Sequence, residues 1–319
     1  MNVQCQPVSP ALLPGYTTDG RKGQKSPKRF IYSCSSVAET FHAVAKQHRG
    51  NYFEDGPKME APISEPTCSE EKEDPGAALY GNFINYYTFN PPENRLSLIP
   101  RTLLEDVGHE PDTQAVLLLD VGCNSGDLSI ALYKHFLQDQ PPGSDSSKTI
   151  HLLGFDLDQD LIVRAQNSNP FPQNVQFIPL DITSEESRTE LASYLEKFGH
   201  SRFHLCSCFA VTMWVHLNHG DAALLAFLSR LASVCEWLLL EAQPWKCYRS
   251  AARRLRKLGR SDFEHFKTLE IRGDMAAHAK EHLEKQCGME LVQSFGSTSW
   301  DRSLLLFKRR SCSNQERKE

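Results

Sequence analysis

Between positions 116 and 132 lies the stretch that leaves the fewest folds open. It reads Val116-Leu117-Leu118-Leu119-Asp120-Val121-Gly122-Cys123-Asn124-Ser125-Gly126-Asp127, then Leu128-Ser129-Ile130-Ala131-Leu132. Four apolar residues in a row are too few for a helix and read as a parallel strand buried on both faces. Gly122 and Gly126 then bracket a tight turn, and Leu128, Ala131 and Leu132 recur at helical spacing. A strand, a glycine turn and a helix in that order aim backbone N–H groups at a ligand and let it approach the chain closely. The unit implies an α/β fold whose ligand is nucleotide-like and lies over the carboxyl end of the first strand.

The turn narrows that ligand further. It lacks the G-x-G-x-x-G spacing of dinucleotide sites and the Gly-Lys-Ser/Thr of phosphate loops. An acid, Asp120, before a shorter Gly-x-Asn-x-Gly turn suits S-adenosyl-L-methionine, whose sulfonium is a cation and which carries no pyrophosphate. The bland reading of the same stretch is an ordinary strand–helix turn.

Around this core the chain is uneven. Residues 1–75 are rich in Pro, Ser, Gly and clustered charge, and are expected to be a disordered tail. With Asp19 the one acid before Glu39, a transit peptide is the competing reading of the start. No signal-peptide core is seen, and no apolar stretch nears the roughly 20 residues that span a bilayer. The ten cysteines form no Cys-x-x-Cys pair. That argues against zinc and against a disulfide framework, and for reduced thiols in the cytoplasm, with the nucleus as alternative. A domain over 76–308, a polar tail over 309–319 and a monomer are expected.

Aromatics crowd Tyr80-Gly81-Asn82-Phe83-Ile84-Asn85-Tyr86-Tyr87 ahead of the core, as in a flap over a pocket. Pro91 and Pro92 open a short helix carrying Arg95, which reads either as a solvated arginine or as a carboxylate partner. After a polar loop from Gln138 to Lys148, a second strand ends Phe155-Asp156-Leu157-Asp158 and a third runs Val175 to Ile182 through Asp181. Asp156 is placed to accept ribose hydroxyls, whereas Asp158 suits the cap of a helix from Gln159 to Asn167. Asp181 and Ile182 would meet an adenine, although a helix cap is the plain alternative for each acid.

A fourth strand spans Phe203 to Val211, and Thr212 to Asp221 is expected to cross the carboxyl end of the sheet before a helix from Leu224 to Val234. Met213 and Trp214 are candidates to cover the ligand. His216 and His219 lack a third ligand nearby, so no metal centre is expected. Strand five, Trp237 to Glu241, leads into an aromatic and basic run; from Pro244 to Met275 nine Lys/Arg stand against four Asp/Glu, in a chain of net charge −5. Phosphates are the natural partners of such a segment, and a solvated helix face is the alternative. Strands six and seven, Met289–Phe295 and Ser303–Phe307, close the pattern.

Seven strands with intervening helices and a final hairpin resemble the class I methyltransferases: a Rossmann-like, mostly parallel sheet with helices on both faces. Tyr80–Phe83, Pro91–Leu96, Leu119–Asp127, Thr212–Asp221 and Gln243–Tyr248 together resemble the bicoid-interacting-protein family of methylphosphate capping enzymes. Gln243–Leu258 and Thr298–Phe307 look most like its RNA 5′-monophosphate methyltransferase branch. The resemblance implies methyl transfer from S-adenosyl-L-methionine to the 5′-monophosphate of small RNAs, histidine tRNA and precursor microRNAs among them. It implies Arg95, Asn124, Asp156, Asp181, Ile182 and Met213 as cofactor residues. Lys246 and Arg249 are the candidates to hold the phosphate, in a pocket walled by Tyr86, Tyr87 and Trp245, with Arg253, Arg254, Arg256 and Lys257 following the RNA and His216 and His219 as further donors. A non-catalytic RNA-binding protein on the same fold is the alternative, against which the intact turn argues. A methyltransferase for small molecules or protein side chains is the other rival, against which the basic segment argues.

Overall fold

The computed structural model describes residues 78–107, 115–137 and 149–311. The tail expected over 1–75, the loop over 138–148 and residues 312–319 lie outside them. Three short helices come first: α1 (Tyr86–Phe89), α2 (Glu93–Leu96) and α3 (Leu103–Val107). There follow β1 (Ala115–Val121), α4 (Asp127–Leu137), β2 (Thr149–Asp156), α5 (Gln159–Ser168), β3 (Val175–Pro179), α6 (Glu186–Glu196) and β4 (Phe203–Phe209). The chain continues through α7 (Thr212–Val234), β5 (Cys235–Glu241), α8 (Trp245–Lys257), α9 (Met275–Gln286), β6 (Met289–Ser297) and β7 (Ser303–Arg309).

One seven-stranded sheet has the order β3-β2-β1-β4-β5-β7-β6. Every pairing is parallel except those of β7, which runs antiparallel to both β5 and β6. This is the class I methyltransferase arrangement. The apolar run of β1 serves two cores at once. Leu117, Leu119 and Val121 pack with residues of α6 to α9, and Val116 and Leu118 with residues of α3, α4 and α5. β1 lies between β2 and β4, where successive connections depart to opposite sides and a crevice opens at the carboxyl ends.

β3 and β4 end earlier than expected, at Pro179 and Phe209, and two further boundaries differ. β7 continues to Arg309, paired with Met289, so the expected polar tail begins inside the sheet. The segment expected to cross the sheet end is itself helical: α7 starts at Thr212 and breaks at Gly220, whose φ of 82° no helix allows. Val211 supplies no side-chain cap. The cap comes instead from Gln243, after β5, whose Oε1 accepts from the Met213 N–H at 3.1 Å and the Thr212 hydroxyl at 3.2 Å. A cap delivered from another strand leaves no local signature. Among the described residues no helix is long and apolar enough to cross a membrane.

Candidate active site

At the carboxyl ends of β1, β2 and β4 lies a cavity of about 370 Å³, roofed by Tyr80, Gly81, Asn82, Tyr86 and Tyr87. The aromatic stretch is thus a flap over the glycine turn. Gly122 and Gly126 both have positive φ, and a Cβ on Gly122 would stand 2.5 Å from Val211 Cγ2. Asn124 also adopts the left-handed conformation, at φ 52°, which asparagine tolerates better than most residues. Its side chain serves the fold: Oδ1 accepts from the Ser125 N–H at 2.8 Å and Nδ2 donates to the Phe83 carbonyl at 3.1 Å, tying turn to flap.

Three carboxylates line this cavity. Asp156 ends β2, and each of its oxygens accepts one backbone N–H, from Asn124 at 3.0 Å and Asp158 at 3.1 Å. Burial nonetheless raises its carboxyl above the usual range. Asp181 Oδ1 accepts from the N–H and the hydroxyl of Thr183. Asp120 is buried beneath the turn, held by the hydroxyls of Ser129 and Ser207; burial pushes its carboxyl up to about 6. The alternatives for Asp156 and Asp158 resolve cleanly. Asp158 caps α5 through the N–H groups of Asp160 and Leu161, takes a 2.7 Å bond from Asn82, and is absent from the cavity wall.

Arg95 reaches the same cavity from α2 and is wholly buried. Its Nε and Nη2 donate to Glu241, and Nη2 also donates to the Tyr86 hydroxyl at 2.9 Å. Its Nη1 has no hydrogen-bond partner among the described residues. A buried donor left open in this way is costly unless an acceptor arrives.

A second cavity, of about 480 Å³, adjoins the first; Tyr86, Ala210 and Trp214 line both. Ala210 is held at a φ of 59°, its carbonyl accepting from Gln243 at 2.7 Å. The second wall has the opposite electrostatics. Lys246, Arg254 and Arg302 contribute to it and, among the described residues, no carboxylate does. Lys246 pairs with Asp301 at 3.0 Å on the β6–β7 turn, and Arg254 lies over the Phe83 ring at 5.7 Å. One cavity suits a cationic, hydroxyl-bearing ligand and its neighbour an anion.

The model of the Bicoid-interacting protein 3 (Bin3) family matches residues 203–309, which hold the whole cationic wall. The chain is 75% identical over 244 residues to the pre-miRNA 5′-monophosphate methyltransferase of Danio rerio, covering 76% of this chain and 96% of that protein. It is 54% identical to the Xenopus laevis protein of that name, over 74% of this chain and 94% of the relative. To the human RNA 5′-monophosphate methyltransferase it is 52% identical, over 77% of this chain and 86% of the relative. The chain belongs to the Bicoid-interacting protein 3 family.

Several residues that the family resemblance implied, or that composition suggested, stand elsewhere. Met213 is packed in the core and lines the second cavity, while its neighbour Trp214 reaches the first. Arg249 is exposed and lines neither, because the face of α8 toward the cavity follows Cys247, Ser250 and Arg254. Trp245 walls neither cavity; it stacks on Tyr248 and Phe266 with centroids 4.8 and 5.9 Å away. His216 is committed on both ring nitrogens, to the Tyr248 hydroxyl at 3.1 Å and to Asp221 at 2.9 Å. Its burial lowers its pKa, and it serves the fold. His219 borders the first cavity and not the second. Arg95, Asn124, Asp156, Asp181, Ile182, Tyr86 and Lys246 stand on the cavity walls. Glu241 and Arg302 were missed. An acid closing an apolar strand could have flagged Glu241; Arg302 carries no comparable signal.

Proposed function

We propose that this chain is an S-adenosyl-L-methionine-dependent RNA methyltransferase acting on the 5′-monophosphate of small RNAs, precursor microRNAs among them. The observation that carries the reading is the junction of an acid-lined and a cation-lined cavity across the shared walls Tyr86, Ala210 and Trp214. The names of the family relatives support the same chemistry.

The first cavity fits the cofactor on its own residues. The open Nη1 of Arg95 suits an amino-acid carboxylate, Asp156 suits ribose hydroxyls, and Asp120 suits a nearby cation. When bound, S-adenosyl-L-methionine supplies a methyl group on a sulfonium that leaves as a neutral thioether. The chain need not supply a strong base, since a phosphate monoester with a second pKa near 6 is already a dianion at neutral pH. The task left to the protein is alignment and charge balance. The cationic wall of the second cavity holds a phosphate, while the flap and Trp214 exclude water. Beyond the cavity, Arg249, Arg253, Arg256 and Lys257 are exposed on α8. At 1.5 Å per residue, the stretch from Lys246 to Lys257 forms a basic rail about 16 Å long for RNA phosphates.

The test uses radiolabelled cofactor and one short RNA bearing a 5′-hydroxyl, a 5′-monophosphate or a 5′-triphosphate. Methyl transfer to the monophosphate alone is the expected result. Equal labelling of the hydroxyl form would move the target to a base or ribose, and binding without transfer would favour a non-catalytic RNA-binding role.

A further inference from the structure

The two cavities are joined by a buried cluster in which two arginines share one carboxylate. Glu241, fully buried at the end of β5, takes Nε and Nη2 of Arg95 on one side and Nη1 of Arg302, at 2.9 Å, on the other. The Tyr86 hydroxyl accepts from both guanidinium groups, at 2.9 and 3.4 Å. The Trp300 ring covers the pair, its centroid 5.2 Å from the Arg95 Cζ and 5.5 Å from that of Arg302. Two guanidinium ions thus share one hydrogen-bonded carboxylate with little access to water, and the buried Asp120 acts on the Arg95 side. Among the described residues, each arginine also keeps one buried nitrogen without a partner, Nη1 on Arg95 and Nε on Arg302. Arg95 lines the first cavity and Arg302 the second.

We infer that Arg302 is the specificity-determining residue for the RNA 5′-phosphate, held in place by the carboxylate it shares with the cofactor-side Arg95. The inference rests on reading the second cavity as the phosphate site and adds to it the group that reads the phosphate. Lys246 is the less suitable reader. Its side chain is 52% exposed and already engaged by Asp301, whereas that of Arg302 is 13% exposed and fixed by Glu241. A guanidinium is planar, permanently charged and weakly hydrated, and a phosphate dianion is the group that meets its fork. Glu241 sets the orientation of Arg95 and Arg302 together, so the cofactor carboxylate and the phosphate are registered against one buried anion.

The test measures binding by fluorescence anisotropy of one short RNA carrying either a 5′-monophosphate or a 5′-hydroxyl, on the full chain saturated with S-adenosylhomocysteine. Wild-type protein should prefer the monophosphate. Arg302→Gln should cut that preference by roughly ten- to a hundredfold, the value of one charge-assisted contact. Affinity for 5′-hydroxyl RNA and for S-adenosylhomocysteine should stay within about twofold, since Arg95 still pairs with Glu241. Arg302→Lys keeps the charge without the fork; it should fold if the glutamine variant does not, and should raise KM for the monophosphate RNA severalfold more than it lowers kcat. A preference unchanged in Arg302→Gln, or unchanged KM in Arg302→Lys, overturns the assignment while leaving the proposed activity intact. Equal loss for both RNAs overturns it in favour of a structural role. Absence of any preference in the wild-type protein overturns the phosphate site itself and this inference with it.

Discussion

Asp156→Asn distinguishes a carboxylate that binds ligand from one that merely braces the turn. Both oxygens already accept one backbone N–H, from Asn124 at 3.0 Å and Asp158 at 3.1 Å. An asparagine has one acceptor and two donors, so one of those N–H groups must face an NH₂. A partly buried donor left without an acceptor costs about 1–3 kcal/mol. If ribose hydroxyls take the remaining lone pairs, charge-assisted bonds worth about 1.5–3 kcal/mol each are lost as well. The N–H penalty falls on the folded protein with or without ligand, so the binding loss is that of two ribose bonds, about 3 kcal/mol or more, a rise in Kd of at least roughly a hundredfold. The melting temperature should fall by only a few degrees, at about 2–4 °C per kcal/mol for a domain of this size. Titration calorimetry with S-adenosylhomocysteine reads the first quantity and a thermal melt the second. The pH dependence supplies an independent check. Burial raises the Asp156 carboxyl, so on acidification its proton arrives, and cofactor affinity falls, at a higher pH than for an ordinary carboxylate near 3.9. The asparagine variant should lack that loss. A Kd within about threefold of wild type, in a protein melting normally, would refute the ribose role.

Three further outcomes are expected. Asp120 sits at about 6 in the fold against about 3.9 unfolded, so its stabilising contribution is fully present below pH 4 and is lost as pH rises through 6. Wild-type stability relative to Asp120→Asn should therefore decline by on the order of 2–3 kcal/mol over that window and stay level above it; urea titrations across pH would show a flat difference if the reasoning is wrong. Arg95→Gln removes the two-point partner of Glu241 and the open donor of the first cavity. It should cost about 3 kcal/mol in chemical denaturation and at least tenfold in S-adenosylhomocysteine affinity, and losing stability alone would dismiss the carboxylate contact. Replacing Arg249, Arg253 and Arg256 together by Gln should weaken all RNAs alike and lower the slope of log K against log salt by up to about 0.7 per contact. An unchanged slope would take α8 out of the RNA path.

Local order along the chain was enough to determine the sheet's first crossover, the glycine turn and the caps that depend on neighbours. Val116 to Val121 is apolar throughout apart from Asp120 because both faces of β1 are covered, and a strand buried twice has no alternation to conceal. Asp158 caps α5 through N–H groups two and three residues ahead, a contact written entirely within one turn of chain. The basic character of α8 was equally plain, but which of its cations face the cavity depends on the phase at which the helix docks. Arg254 faces it and Arg249 does not. Tertiary structure alone decided the rest. The start of α7 is capped by a glutamine 30 residues away, and the cluster between the cavities joins Glu241 to Arg302 across 61 residues and to Arg95 across 146. Neighbouring residues set backbone propensity and apolar period, so elements are legible in order. Charge balance in a buried site is settled by whichever side chains the folded sheet brings together, and no sequence spacing encodes that distance.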